Sequence, residues 1–115
     1  MTNYNDMTDE EIDIEITGLE LRKKYPNAKS IEYDEFTGVM WVYNIGRTSY
    51  PLIHATSSWS DMGPIIERER IDVQWCGGGA LCLALDKGRL DSFMFRDGNP
   101  LRAAAIVYLM MKEEG

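Results

Sequence analysis

The chain predicts a single α+β domain over residues 1–115, with an antiparallel sheet of about five strands and about three helices on one face. Three observations lead there. Segments of strand character follow one another across short turns, which suits antiparallel neighbours. Helical spacing of apolar residues closes the chain behind a marked start signal. A length of 115 residues with 44% hydrophobic composition supports one ordinary core and excludes a disordered chain. The expected order is α-β-β-α-β-β-β-α.

The first element carries two signals. Glu11-Ile12-Asp13-Ile14-Glu15-Ile16 alternates strictly, as a half-buried strand does. Against this, Thr8 and Glu11 form a capping-box pattern, and acids crowd the turn where a helix dipole favours them. Ile12, Ile16 and Leu19 also make a helical stripe, and Arg22-Lys23-Lys24 precede the stop at Pro26. The capping signals decide for a helix over residues 9–24.

Residues 30–33 and 39–45 read as strands around a turn in which Gly38 tolerates a positive φ. Residues 46–55 read as a loop or irregular edge, because Pro51 argues against a central strand. Ser57 or Ser58 caps a helix over 58–69, in which Pro64 marks a kink or a later start. Strands over 71–76 and 80–85 flank Gly77-Gly78-Gly79, and a further strand covers 92–96.

The terminal helix has the clearest signature. Asn99 offers an N-cap acceptor, and Pro100 stands where its missing N–H costs nothing. Leu101, Ala104, Ala105, Tyr108 and Leu109 fall on one buried face.

Charge and composition narrow the function. A net charge of −7 disfavours direct nucleic-acid binding, which needs Lys and Arg against phosphate. No apolar stretch approaches the ~20 residues that span a bilayer, and Met1–Asp6 lack the regions of a signal peptide. The expectation is a cytoplasmic protein that engages neither nucleic acid nor membrane. Cys76 and Cys82 are too few for a disulfide framework and read as reduced, mostly buried thiols.

Motifs of chemistry are sparse. The glycine triplet lacks the following helix and the Lys of a phosphate loop, so it reads as a hairpin turn. His54 stands near Thr56, Ser57 and Ser58, but serine and threonine gather before helices for capping alone. Asp9, Asp13 and Glu20 lack the spacing of a calcium loop. No catalytic, metal or cofactor residue is assigned, and the chain reads as a non-enzyme without cofactor. Trp41, Tyr43, Trp59 and Trp75 read mainly as core. Trp59 is the exception, because it opens a helix beside polar residues. Arg102 lies where a helix dipole disfavours a cation, so it needs Asp97, another acid or an external partner.

Three segments, Met7-Thr8-Asp9-Glu10-Glu11-Ile12, Trp59-Ser60-Asp61-Met62-Gly63-Pro64-Ile65-Ile66-Glu67 with Ile71, and Asn99-Pro100-Leu101-Arg102-Ala103-Ala104 with Ile106-Val107, carry a family resemblance. In that order they resemble the NinX-like family, small bacteriophage and prophage proteins of unassigned function. The resemblance implies a phage origin and the cytoplasm of an infected bacterium, and it carries over no catalytic residues. Combined with small size and acidity, it leads to a non-enzymatic interaction protein. Its partner is a host or phage protein in defence, replication or recombination, and its oligomeric state is left open. Trp59, Asp61, Arg102, Asp9, Glu10 and Asp13 are the candidate partner-binding residues. Two alternatives remain open, an acidic DNA mimic that inhibits a DNA-binding enzyme, and a nucleotide-binding protein or small hydrolase with a pocket at His54.

Overall fold

A computed structural model describes residues 3–85 and 92–114. After a 3-10 turn at Tyr4–Asp6, the elements are α1 (Asp9–Lys24), β1 (Ser30–Asp34), β2 (Val39–Tyr43), β3 (Arg47–Pro51), α2 (Trp59–Glu69), β4 (Asp72–Cys76), β5 (Gly79–Leu85), β6 (Ser92–Asp97) and α3 (Pro100–Glu114). The α+β class and the three helices agree with the sequence. The expected single sheet of about five strands is replaced by two three-stranded antiparallel meanders, β1-β2-β3 and β4-β5-β6. The sixth strand is β3, in the segment read as a loop or irregular edge, and it lies at the sheet edge. Pro51 is the last residue of this edge strand, where its missing N–H breaks no ladder.

The two sheets have separate cores, and α1 serves both. Ile12 and Ile16 join the main core with α2, α3 and the second sheet. Ile14 and Leu21 join a smaller core with Met40 and Val42 of β2. Successive residues of a helix turn by about 100°, so positions two apart lie on nearly opposite sides. The strand-like alternation at 11–16 is therefore the mark of a helix buried on two faces.

Helix α3 is the centre of the main core. Ala103 through Tyr108 are fully buried, beyond the single face that the spacing predicts. The small side chains at 103–105 let α3 lie close to β5, β6, α1 and α2, which all pack on it. Asn99 Oδ1 accepts from the N–H of Leu101 and caps the helix as expected.

The turns follow the sequence. Gly38 has φ +73° and Gly78 has φ +81°. At Gly79 a Cβ would stand 2.4 Å from the Asp97 carbonyl oxygen, so only glycine fits beside β6. Helix α2 runs through Pro64, with Ser58 as its N-cap.

Two expectations about side chains are corrected. Cys82 is buried, but Cys76 is exposed. Cys76 pairs with Gly79 in the β4–β5 register, so the two thiols do not meet across the hairpin. The aromatic set is not core. Trp75 is 70% exposed, and Trp41 and Tyr43 are half-buried on the face of the first sheet opposite its core. Among the described residues no helix covers that face or the β4 edge, so their aromatics stay accessible.

Candidate functional site

The three helices run in one direction, and their starts meet at one end. There Asp13, on the first half of α1, is buried at 7% exposure. Its Oδ1 accepts from both the N–H and the hydroxyl of Thr56, each at 3.0 Å. The Thr56 carbonyl in turn accepts from Asn99 Nδ2 at 2.6 Å. One carboxylate thus ties α1, the segment before α2 and the cap of α3. Burial raises the Asp13 pKa above the ordinary carboxylate value, and the two Thr56 bonds oppose that rise.

Arg102, on the first turn of α3, closes the same end from the other side. It donates to Asp9 Oδ1 at 2.8 Å and to the carbonyls of Met7 at 2.7 Å and Tyr4 at 3.3 Å. Asp97 Oδ1 stands 3.6 Å away. These acceptors satisfy a guanidinium that the α3 dipole alone would disfavour, and the side chain is left 14% exposed.

Trp59 is the first residue of α2 and is 50% exposed. Its surroundings are held. Ser58 Oγ accepts from the Asp61 N–H at 3.2 Å, and Asp61 Oδ2 accepts from the His54 N–H at 2.9 Å. Glu10 is exposed and accepts weakly from the Tyr33 hydroxyl at 3.3 Å. Of the six candidates, the structure links Asp9 directly to Arg102, and it embeds Asp13 and Asp61 in the frame. Trp59 and Glu10 face solvent.

The helix ends meet at the opposite end in a charged knot that the sequence reading missed. Glu20 accepts two bonds from Arg68, at 2.7 and 2.9 Å, and one from the buried Tyr108 hydroxyl at 2.6 Å. Lys23 and Lys112 flank Glu69 at 3.5 and 3.4 Å. Burial works to raise the Glu20 pKa, but the bonds from Arg68 and Tyr108 outweigh it and hold the carboxyl below its usual range. Burial, then the Glu20 carboxylate, pushes the Tyr108 hydroxyl well up. The available signal was the polar stripe Asp13, Thr17 and Glu20, at i, i+4 and i+7 of α1. Thr17 Oγ1 accepts from the Ile53 N–H at 2.8 Å, so all three residues of the stripe dock the chain around α2.

His54 is exposed in the loop before α2, and its backbone N–H is the group held by Asp61. Two open clefts beside the helices, of about 330 and 540 Å³, are lined by other residues. Among the described residues, no group of three or more His, Cys, Asp or Glu is placed to hold a metal ion. No helix among them is long and apolar enough to cross a membrane.

These features define an α+β fold of two antiparallel meanders, with three helices whose two ends are tied by charged side chains. Residues 3–112 match the family described as Bacteriophage P22, NinX, and the chain belongs to that family. No curated protein matches it.

Proposed function

We propose that this phage-family chain is a non-enzymatic interaction protein that modulates a host or phage protein in defence, replication or recombination. It acts in the cytoplasm of the infected bacterium, without direct contact to nucleic acid or membrane. The observation that carries the reading is the half-exposed Trp59 on a rigid frame. A tryptophan whose neighbours are fixed by capping and carboxylate bonds supplies contact area at little cost in ordering, which is the usual character of an interface anchor. Glu10, exposed on the first turn of α1 in a chain of net charge −7, steers association toward a basic partner surface. Asp9, Asp13, Asp61 and Arg102 hold the frame.

The test is capture of the tagged chain from infected and uninfected bacterial lysates, with and without nuclease, followed by mass spectrometry. One reproducible, nuclease-resistant protein is expected. Trp59→Ala should abolish its capture while the melting temperature stays within a few degrees, because an exposed side chain contributes little to stability. Capture that persists undiminished in both Trp59→Ala and Glu10→Gln removes this surface. Capture lost on nuclease treatment removes the reading as a protein-directed module.

A further inference from the structure

The uncovered face of the first sheet has a composition that its own fold does not require. In the antiparallel register Glu32 stands beside Trp41, and Tyr43 beside Arg47. Trp41 and Tyr43 are two apart on the central strand, so their side chains share this face. Together with Glu35 and Phe36 of the β1–β2 turn, these residues line an open cleft of about 650 Å³. The Phe36 ring is fully exposed at the rim.

Two observations identify what such a cleft accepts. The first is that the chain already seats a cation on it. The Arg47 guanidinium carbon lies 4.8 Å from the centroid of the Trp41 ring, within cation–π range. The ring is also held at its N–H edge, where Trp41 Nε1 donates to Asp34 Oδ2 at 3.2 Å. The second is charge. Glu32, Asp34 and Glu35 line the cleft against the single cation of Arg47. Asp34 is engaged by Trp41 and by the N–H groups of its own turn. Glu32 and Glu35 have no ion pair among the described residues and remain open to an added cation.

We infer that this face binds an arginine-bearing basic segment of a partner protein, with a partner guanidinium taking the place of Arg47 over Trp41 between Glu32 and Glu35. The inference rests on the reading of the chain as an interaction protein and adds a second contact surface with a stated partner chemistry. Duplex DNA is disfavoured here by like charge, and an acidic peptide by the same argument. A guanidinium suits the site better than an ammonium, because its planar, weakly hydrated group stacks on an indole while its N–H fork reaches flanking carboxylates. Arg47 acts as an internal competitor, so the free face is neither bare indole nor saturated.

The probe is a capped Gly-Arg-Gly-Arg-Gly peptide added to the ¹⁵N-labelled full chain, with Gly-Glu-Gly-Glu-Gly as control. The expected result is a progressive shift of the Trp41 indole N–H and of the β1 and β2 amides, with the Trp59 and Trp75 indoles unmoved. The control peptide should shift nothing. Arg47→Ala removes the competitor and should tighten peptide binding. The double variant Glu32→Gln/Glu35→Gln should weaken it about fivefold, as expected for two exposed ion pairs. Both variants alter exposed side chains, so folding is preserved and is checked by the unchanged remainder of the spectrum. Shifts centred on Trp59 or Trp75, no shift at all, or weaker binding in Arg47→Ala would each overturn the assignment. A Trp41 resonance that moves with the chain's own concentration, without peptide, means that a second copy occupies the face and also overturns it. If lysate capture fails while the peptide still shifts Trp41, the face stands and the modulator reading falls. If capture succeeds without any Trp41 response, this face alone falls.

Discussion

Asp13 shows how one side chain can read as a surface charge and act as an internal clamp. It lies in an acidic run where the neighbouring carboxylates face water, yet its Oδ1 holds both hydrogen-bond donors of Thr56. Asp13→Ala leaves a buried N–H and hydroxyl without an acceptor, and urea unfolding should show a loss of about 3 kcal/mol. Asp13→Asn keeps an acceptor oxygen and removes a carboxylate that burial disfavours, so its loss should stay below about 1 kcal/mol. Equal losses in the two variants would mean that the charge, not the acceptor geometry, stabilises the node. At this scale the sequence was only partly legible. The Asn99 cap, the Gly38 turn and the need of Arg102 for acids all follow from local chemistry. The Thr56 partner, 43 residues away, does not, because nothing near Asp13 announces a contact across that separation.

The helices were the most legible elements, since capping is local. The capping box at Thr8 and Glu11 forms as read, and it correctly outweighs the alternation that follows. The single-sheet expectation failed for a physical reason. Short turns establish that neighbouring strands pair, but they carry no information on whether one meander continues into the next across an intervening helix. The charged knot at the helix ends was equally hidden, because its members come from three elements. It yields a pH prediction with a definite sign. Glu20 and Glu69 titrate below their ordinary value of 4.5 in the folded chain, despite burial, because Arg68 and neighbouring cations favour the ionised forms. Groups with depressed folded pKa values contribute stability above the ordinary value and lose it as pH falls through the folded one. Glu20→Gln should therefore cost about 1–2 kcal/mol at neutral pH, a figure kept low by the partial exposure of Arg68. The same variant should flatten the fall in melting temperature between about pH 5 and pH 3. Asp13 works in the opposite direction, because its pKa is raised, and it moderates the acid loss in both proteins. Parallel pH profiles for the parent and Glu20→Gln would show that the knot contributes nothing through its charge.

At the scale of the whole molecule, the two meanders share no strand and belong to separate hydrophobic clusters, with α1 contributing to both. The main core has α3 buried on all sides, whereas the smaller one rests on a few residues of α1 and the inner face of β1-β2-β3. Such an arrangement gives the first sheet a lower opening free energy than α3, since local stability follows the apolar contacts that must be broken. Met40 is the test, because it is buried in the smaller core and lies close to Gly18 of α1. Met40→Ala should cost about 2–5 kcal/mol in the first sheet. Hydrogen exchange should then accelerate in β1, β2 and β3, while the amides of α3 keep their protection. Uniform acceleration through α3 would instead make the chain one cooperative unit. The separable outcome bears on function. The face that seats Arg47 over Trp41 lies on the less stable sheet, and Trp59 stands on the more stable helical frame. A partner that engages both surfaces would therefore stabilise the first sheet by mass action. Exchange of the β1–β3 amides would slow on binding, and the Met40→Ala variant would recover much of its protection in the complex.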